Sequence, residues 1–154
     1  MRVLFVCLGN ICRSPSAESV FRQQLLNAGL DGRVHVDSAG TGPWHVGKPA
    51  DSRASAAALQ RGYDLSALRG RQVSQADFEQ FDLILAMDHS NFADLKALKP
   101  ASSRAEVDLY LRRYQLDADE VPDPYYGGAD GFEQVLDMLE QAGAQLLNEV
   151  RGRL

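Results

Sequence analysis

Cys7 closes an apolar run and stands six positions before Arg13, in the string Cys7-Leu8-Gly9-Asn10-Ile11-Cys12-Arg13-Ser14-Pro15. That spacing gathers a thiol, a turn of backbone N–H groups and a guanidinium around one small volume. Such a volume suits a phosphate-sized dianion, with the thiol placed to attack phosphorus. Positive potential around Cys7 favours the thiolate, which is the nucleophile. A free cysteine of pKa about 8.5 is already a few per cent thiolate at neutral pH, so complete ionisation gains at most roughly thirty-fold. Most of any rate acceleration must therefore come from charge stabilisation and in-line positioning. Cys7 taken alone reads first as a buried core cysteine, and the C-x5-R-S-P context reverses that preference. The nucleotide-binding P-loop is excluded, because the chain has no G-x4-G-K-[ST].

The elements that must hold these groups are legible around them. Val3–Val6 is continuously apolar and reads as a parallel strand buried on both faces. Gly9 and Asn10 tolerate unusual backbone angles, so the loop after the strand can turn its N–H groups inward. Ser14 can cap a helix, with Pro15 at the first helical position. Ala17, Val20, Phe21, Leu25 and Ala28 then recur at helical spacing up to Gly29. The positive end of that helix points into the loop. The nucleophile thus sits at the carboxyl end of a strand, where open α/β sheets bind ligands.

Thiol-based phosphoryl transfer needs a proton donor for the leaving oxygen. Asp123, in Val121-Pro122-Asp123-Pro124-Tyr125-Tyr126, is the candidate. Its flanking prolines stiffen the loop, and Tyr125 and Tyr126 can shield the carboxyl from water. A D-P dipeptide is by itself a common turn signal.

With both ends on the page, the string from Cys7 to Pro15 resembles the active-site loop of the low-molecular-weight protein tyrosine phosphatases. Leu8-Gly9-Asn10-Ile11-Cys12 matches that loop nearly letter for letter, and Asp123-Pro124-Tyr125 is similar to the family's acid loop. The resemblance covers essentially the whole chain. It implies hydrolysis of phosphotyrosine and aryl phosphates through a phosphocysteine. Cys7 would be the nucleophile, Asp123 the general acid and then base, and Arg13 with the N–H groups of Leu8 to Ser14 the phosphate-binding loop. It implies Asn10, Ser14 and Ser38 as loop support. It also implies a phosphotyrosine-containing protein as partner, a tyrosine kinase among the candidates. Trp44, Tyr125 and Tyr126 are expected as pocket walls that favour an aryl ring, with Leu8 and Ile11 lining the floor. Cys12 is a candidate reversible disulfide partner for Cys7, a role that members with this second loop cysteine give it; it also reads as a small packing residue. Asp88 resembles a family position beside the acid loop, and a helix cap explains it equally well. One departure stands out: many members carry a histidine before an A-R-Q string, and the comparable Ser66-Ala67-Leu68-Arg69-Gly70-Arg71-Gln72 has none.

The rest of the chain frames these groups. Strand signals at Val34–Val36, Phe81–Met87 and Val107–Tyr110 alternate with helix signals at Asp51–Arg61, from Asp88 to before Pro100, and at Phe132–Val150. Pro122 to Gly128 reads as a loop. The alternation predicts an α/β fold, a single three-layer domain over residues 1–154 with a central, mostly four-stranded parallel sheet flanked by helices. Length, a 45% apolar fraction and a 24% charged fraction are those of an ordinary globular domain. A net charge of −5 argues against nucleic acid or an anionic membrane as partner. No run approaches a membrane span, and the first residues lack a signal peptide's pattern, which predicts a cytoplasmic protein with reduced thiols. Two cysteines and three scattered histidines supply no metal site, and no cofactor is called for. A thiol-dependent arsenate reductase would need resolving cysteines late in the chain, and none follows Cys12. A phosphotyrosine-binding module would need neither Cys7 nor Asp123.

Overall fold

The computed structural model describes residues 1–126 and 129–154. Val3–Val6 are apolar without interruption because the strand they form is covered on both faces. β1 (Arg2–Cys7) lies inside a four-stranded sheet of order β2-β1-β3-β4, with β2 at His35–Gly40, β3 at Leu83–Ala86 and β4 at Glu106–Leu109. The pairings are all parallel. Val3, Phe5, Leu83 and Leu85 face one layer, formed by α1 (Arg13–Asn27), α2 (Ser52–Gln60), α5 (Tyr110–Arg113) and α6 (Ala129–Arg153). Leu4, Val6, Ile84 and Ala86 face the other, formed by α3 (Asp77–Gln80) and α4 (His89–Leu98). This is the three-layer α/β architecture expected from the alternation of elements. β1 has β2 on one side and β3 on the other, so the strand order reverses there. A crevice opens above the carboxyl ends of β1 and β3, where Cys7 and Asp88 emerge.

Several boundaries differ from the expected ones for identifiable reasons. α1 begins at Arg13 rather than Pro15; Cys12 is its N-cap and makes no side-chain capping bond. Ser14 is therefore inside the first turn, and its hydroxyl bonds the loop instead. β2 continues past Val36 to Gly40, where Gly40 N–H donates to Arg71 O at 2.8 Å and Gly40 O accepts from Val73 N at 2.8 Å. Tyr110, expected to end a strand, opens the short helix α5. There it is buried against Phe5, with ring centroids 5.1 Å apart. Packing on the core outweighs the strand preference of an aromatic residue. α3 carries too few residues to show a period and was not legible. Pro124–Tyr126 forms a 3-10 turn rather than an extended loop. α2 is capped by Asp51, whose side chain accepts from the N–H groups of Arg53 and Ala54. Among the described residues, no helix is long and apolar enough to cross a membrane.

α6 exceeds its expected span at both ends, and ion pairs hold its last turns. Arg113 clamps Glu149, with Nε 2.9 Å from Oε1 and Nη2 2.7 Å from Oε2, and Tyr114 donates to Oε1 at 2.8 Å. The Arg113 bonds foremost, with Tyr114 adding and burial opposing, pull the Glu149 carboxyl down to about 2. The folded carboxyl thus releases its proton at lower pH than the unfolded one. Its contribution is complete above about pH 5 and is lost as the pH falls toward 2. Urea titrations should show Glu149→Gln less stable than the parent at pH 7 and less sensitive to acid between pH 5 and 3. Parallel acid profiles for the two proteins would contradict the clamp.

Candidate active site

The loop after β1 folds back on the sulfur of Cys7. Asn10 takes the left-handed conformation, φ 57°, which asparagine tolerates better than most side chains. That turn aims its backbone N–H at Cys7 Sγ, 3.2 Å away. Its side chain then locks the loop: Oδ1 accepts from Arg71 N–H at 3.0 Å, while Nδ2 donates to Ser14 Oγ at 2.8 Å and Ser38 Oγ at 3.0 Å. Ser14 Oγ lies 3.0 Å from Cys7 Sγ. Asn10, Ser14 and Ser38 therefore meet behind the nucleophile candidate. Gly9 is not in the left-handed region; it is small for a different reason, since a Cβ there would sit 2.9 Å from His45 Cδ2. Gly40 is needed for approach, because its Cβ would meet Leu8 O at 2.7 Å.

Arg13 is 2% exposed and spans the crevice. Its Nη1 donates to Asp88 Oδ2 at 2.7 Å and to Val121 O at 3.0 Å, and its Nη2 stands 3.7 Å from Asp123 Oδ2. Burial works against the Arg13 charge, but the anionic sides of Cys7, Asp88 and Asp123 outweigh it and raise its pKa. Asp88 combines its two expected readings: Oδ1 caps α4 by accepting Asn91 N–H at 2.8 Å, while Oδ2 holds Arg13. Val121 is itself fixed to the end of β3, its N–H donating to Met87 O at 2.8 Å.

Asp123 is placed by its own turn, Oδ1 accepting from Tyr125 N–H at 3.0 Å. Its side chain is 35% exposed and turns one oxygen toward Arg13. Tyr125, in the 3-10 turn that begins at Pro124, lines the cavity. Arg53 stacks on the Tyr125 ring, 5.3 Å from its centroid, and donates to Tyr125 O at 2.8 Å. A cavity of about 330 Å³ results, lined by Cys7, Leu8, Gly9, Ile11, Cys12, Arg13, Trp44, His45, Asp123 and Tyr125. Trp44 and Leu8 are exposed, at 63% and 41%, so both belong to the rim; Leu8 is not floor, because the loop turns it outward. The side chain of Tyr126 lies outside the described residues, as do Gly127 and Gly128 entirely.

Cys12 lines the same cavity but differs from Cys7 in its surroundings. Burial first, then the negative potential of Asp51, Cys7 and Asp123, pushes its thiol up to about 12, with Arg53 opposing. Both cysteines are free thiols. Leu68, in the stretch without the histidine, packs on the core, and Ser38 bonds Glu18 at 2.7 Å. Sequence reasoning missed Glu18, His45, Arg53, Arg71 and the carbonyl of Val121. Only Glu18 left a signal, its i,i+4 spacing to Arg22 on a helix face otherwise apolar. The others act through backbone groups or loop contacts, which have no spacing rule.

Residues 2–153 match the family model for low molecular weight phosphotyrosine protein phosphatase. The chain is 48% identical over 155 residues to a low molecular weight protein-tyrosine-phosphatase of Streptomyces coelicolor, covering 97% of this chain and 93% of that one. It is 48% identical over 134 residues to a low molecular weight phosphotyrosine protein phosphatase of Schizosaccharomyces pombe, covering 86% and 85%. Among solved structures, a protein tyrosine phosphatase of Entamoeba histolytica with Hepes in its active site superimposes with a TM-score of 0.94 at 41% identity, covering 100% of this chain and 99% of that one. Vibrio vulnificus Wzb in complex with benzylphosphonate gives 0.83 at 29% identity, covering 96% and 97%.

The two thiols should separate cleanly in reactivity. A value of about 12 leaves Cys12 a thiolate fraction on the order of 10⁻⁵ at neutral pH. Brief treatment with iodoacetamide at pH 7 should carbamidomethylate Cys7 and spare Cys12 in peptide mass spectra. Equal labelling would contradict the environment described for Cys12.

Proposed function

The chain belongs to the low molecular weight phosphotyrosine protein phosphatase family, and on that premise we propose that it hydrolyses phosphotyrosine in proteins, and aryl phosphates generally, through a phosphocysteine. The observation that carries this reading is the convergence on one cavity of Cys7 Sγ, the Arg13 guanidinium and the Asp123 carboxyl.

Cys7 Sγ attacks phosphorus in line, and Asp123 gives its proton to the departing phenolate. Asp123, now a carboxylate, takes a proton from water as that water attacks the phosphocysteine, which returns the thiolate. Arg13 and the N–H groups of Leu8, Gly9, Ile11, Cys12 and Ser14 hold the equatorial phosphoryl oxygens, the charge-stabilising part of the barrier reduction. Asp88 and Val121 O fix Nη1 and so set the plane of the guanidinium. Asn10 N–H and Ser14 Oγ beside Sγ stabilise sulfur as nucleophile and as leaving group. Asn10, Ser14 and Ser38 keep the loop in this shape. Trp44, Tyr125 and Tyr126 act as walls for an aryl ring, a reading that the benzylphosphonate in Vibrio vulnificus Wzb supports.

Cys12 serves as the redox partner. A peroxide that oxidises Cys7 to the sulfenic acid leaves a sulfur that the Cys12 thiol can attack, with water released and a disulfide formed. The enzyme is cytoplasmic in this reading, in a compartment that keeps both thiols reduced. Its domain spans residues 1–154, and its partner is a phosphotyrosine protein, a tyrosine kinase among the candidates.

Rapid-quench assays with an aryl phosphate should give a burst and a trapped phosphoenzyme in the parent and neither in Cys7→Ser. Asp123→Asn should slow turnover by about 10²-fold or more and remove the basic limb of the pH–rate profile. Turnover by Cys7→Ser at the parent rate would overturn the reading. Peroxide followed by dithiothreitol should restore activity to the parent far better than to Cys12→Ser, because without Cys12 the sulfenic acid proceeds to irreversible forms.

A further inference from the structure

Glu18 is 2% exposed, one turn along α1 from Ser14, and the chemistry above makes no use of it. A buried carboxylate persists only if it is paired. Arg22 supplies the pairing, with Nε 2.9 Å and Nη2 2.7 Å from the same oxygen, Oε2. The other oxygen, Oε1, accepts the hydroxyl of Ser38 at 2.7 Å. From there an unbroken path of hydrogen bonds reaches the nucleophile. Ser38 Oγ accepts from Asn10 Nδ2 at 3.0 Å, the same amide donates to Ser14 Oγ at 2.8 Å, and Ser14 Oγ lies 3.0 Å from Cys7 Sγ.

The sense of donation along this path is determined by groups that have no choice. A carboxylate only accepts, so Ser38 commits its single hydrogen to Glu18 and presents lone pairs to Asn10. The Arg71 N–H only donates, so Asn10 turns Oδ1 to it, at 3.0 Å, and Nδ2 to the two serines. Ser14 thereby accepts from Asn10, and its own hydrogen is left for Cys7 Sγ, with Ala39 O at 3.3 Å the competing acceptor. Arg22 compensates the Glu18 charge, so the carboxylate does not act as a repelling charge on the thiolate. Burial raises the Glu18 pKa, and Ser38 and Arg22 work against that rise. With Leu68 packed on the core, the polar support of this loop comes from Glu18 on one side and Arg71 N–H on the other.

We propose that Glu18 is a positioning residue for the phosphatase reaction: its carboxylate orients the Ser38–Asn10–Ser14 path so that the Ser14 hydroxyl donates to the Cys7 thiolate. The proposal rests on the phosphatase reading for its biological meaning, but its test needs no substrate.

Iodoacetate alkylation of Cys7, followed by mass spectrometry from pH 5 to 8, reads the thiolate directly. In Glu18→Gln, Arg22 still demands an oxygen, so the amide turns its NH₂ to Ser38, whose hydroxyl then faces donors from both sides and no longer anchors Asn10 where Nδ2 meets Ser14. Alkylation at pH 6 should fall about ten-fold relative to the parent, as expected for one hydrogen bond lost from a charged acceptor. Because the effect passes through the Ser14 hydroxyl, adding Glu18→Gln to Ser14→Ala should change the rate by less than about two-fold. A parent-like profile in Glu18→Gln, or losses that simply multiply in the double variant, would overturn the proposal. Should Glu18→Gln fail to fold, Ser38→Ala breaks the same path while leaving the Glu18–Arg22 pair in place. It must then show the slowed alkylation, and a parent-like rate in it refutes the proposal equally. Absence of aryl phosphatase turnover in the parent would sink the phosphatase reading alone.

Discussion

A guanidinium buried to 2% exposure must find its hydrogen bonds and its counter-charge within the protein, and Arg13 draws them from two distant parts of the chain. Asp88 comes from the end of β3, Val121 O from the segment that leads into the acid loop, and Asp123 from that loop itself. The residue that would hold a phosphoryl group is thus also the hub joining the first strand–helix unit to the rest. Removing Asp88 would leave a buried cation with a single carbonyl and a half-exposed carboxylate nearby. Stability would suffer, and the guanidinium would lose the bond that sets its plane in the cavity.

The loop between Cys7 and Arg13 reaches its shape by a second constraint of the same kind. Asn10 in the left-handed region costs free energy, and the bonds from Asn10 to Arg71, Ser14 and Ser38 offset it. Gly40 lets the neighbouring strand approach closely enough for those bonds to form. The two loop cysteines then differ by environment alone. Cys7 receives an N–H and faces a hydroxyl, whereas Cys12 is buried near carboxylates and stays a neutral thiol. That asymmetry makes the two sulfurs chemically unequal although they line one cavity.

Much of the fold was readable because its signals are local and repeated. The run Val3–Val6, the helical spacing from Ala17 to Ala28, and the apolar run Leu83–Ala86 each reflect a surface that must be covered. The less readable elements were short. Four residues in α3 and four in α5 show no period, and Tyr110 followed the core rather than its own preference. Ser14 looked like a cap by type and position, yet its hydroxyl had better partners in Asn10 and Cys7.

What the sequence determined by itself was the inventory of reactive groups and their coarse placement. Cys7 ends a strand, Arg13 opens a helix, and Asp123 lies between prolines. Residue type and spacing specify these things through chemistry that acts over a few residues. Tertiary structure alone decided how those groups meet. It set which oxygen of Asp88 holds Arg13, that Asp123 stays partly open to solvent beside that cation, and that Glu18 reaches Cys7 through Ser38 and Asn10. The contacts of Arg13 with Asp88 and Asp123, and of Glu18 with Ser38, join residues from 20 to 110 positions apart. No periodicity runs across such separations, and the backbone carbonyls and N–H groups that complete them are common to almost every residue, so only the folded chain could select them.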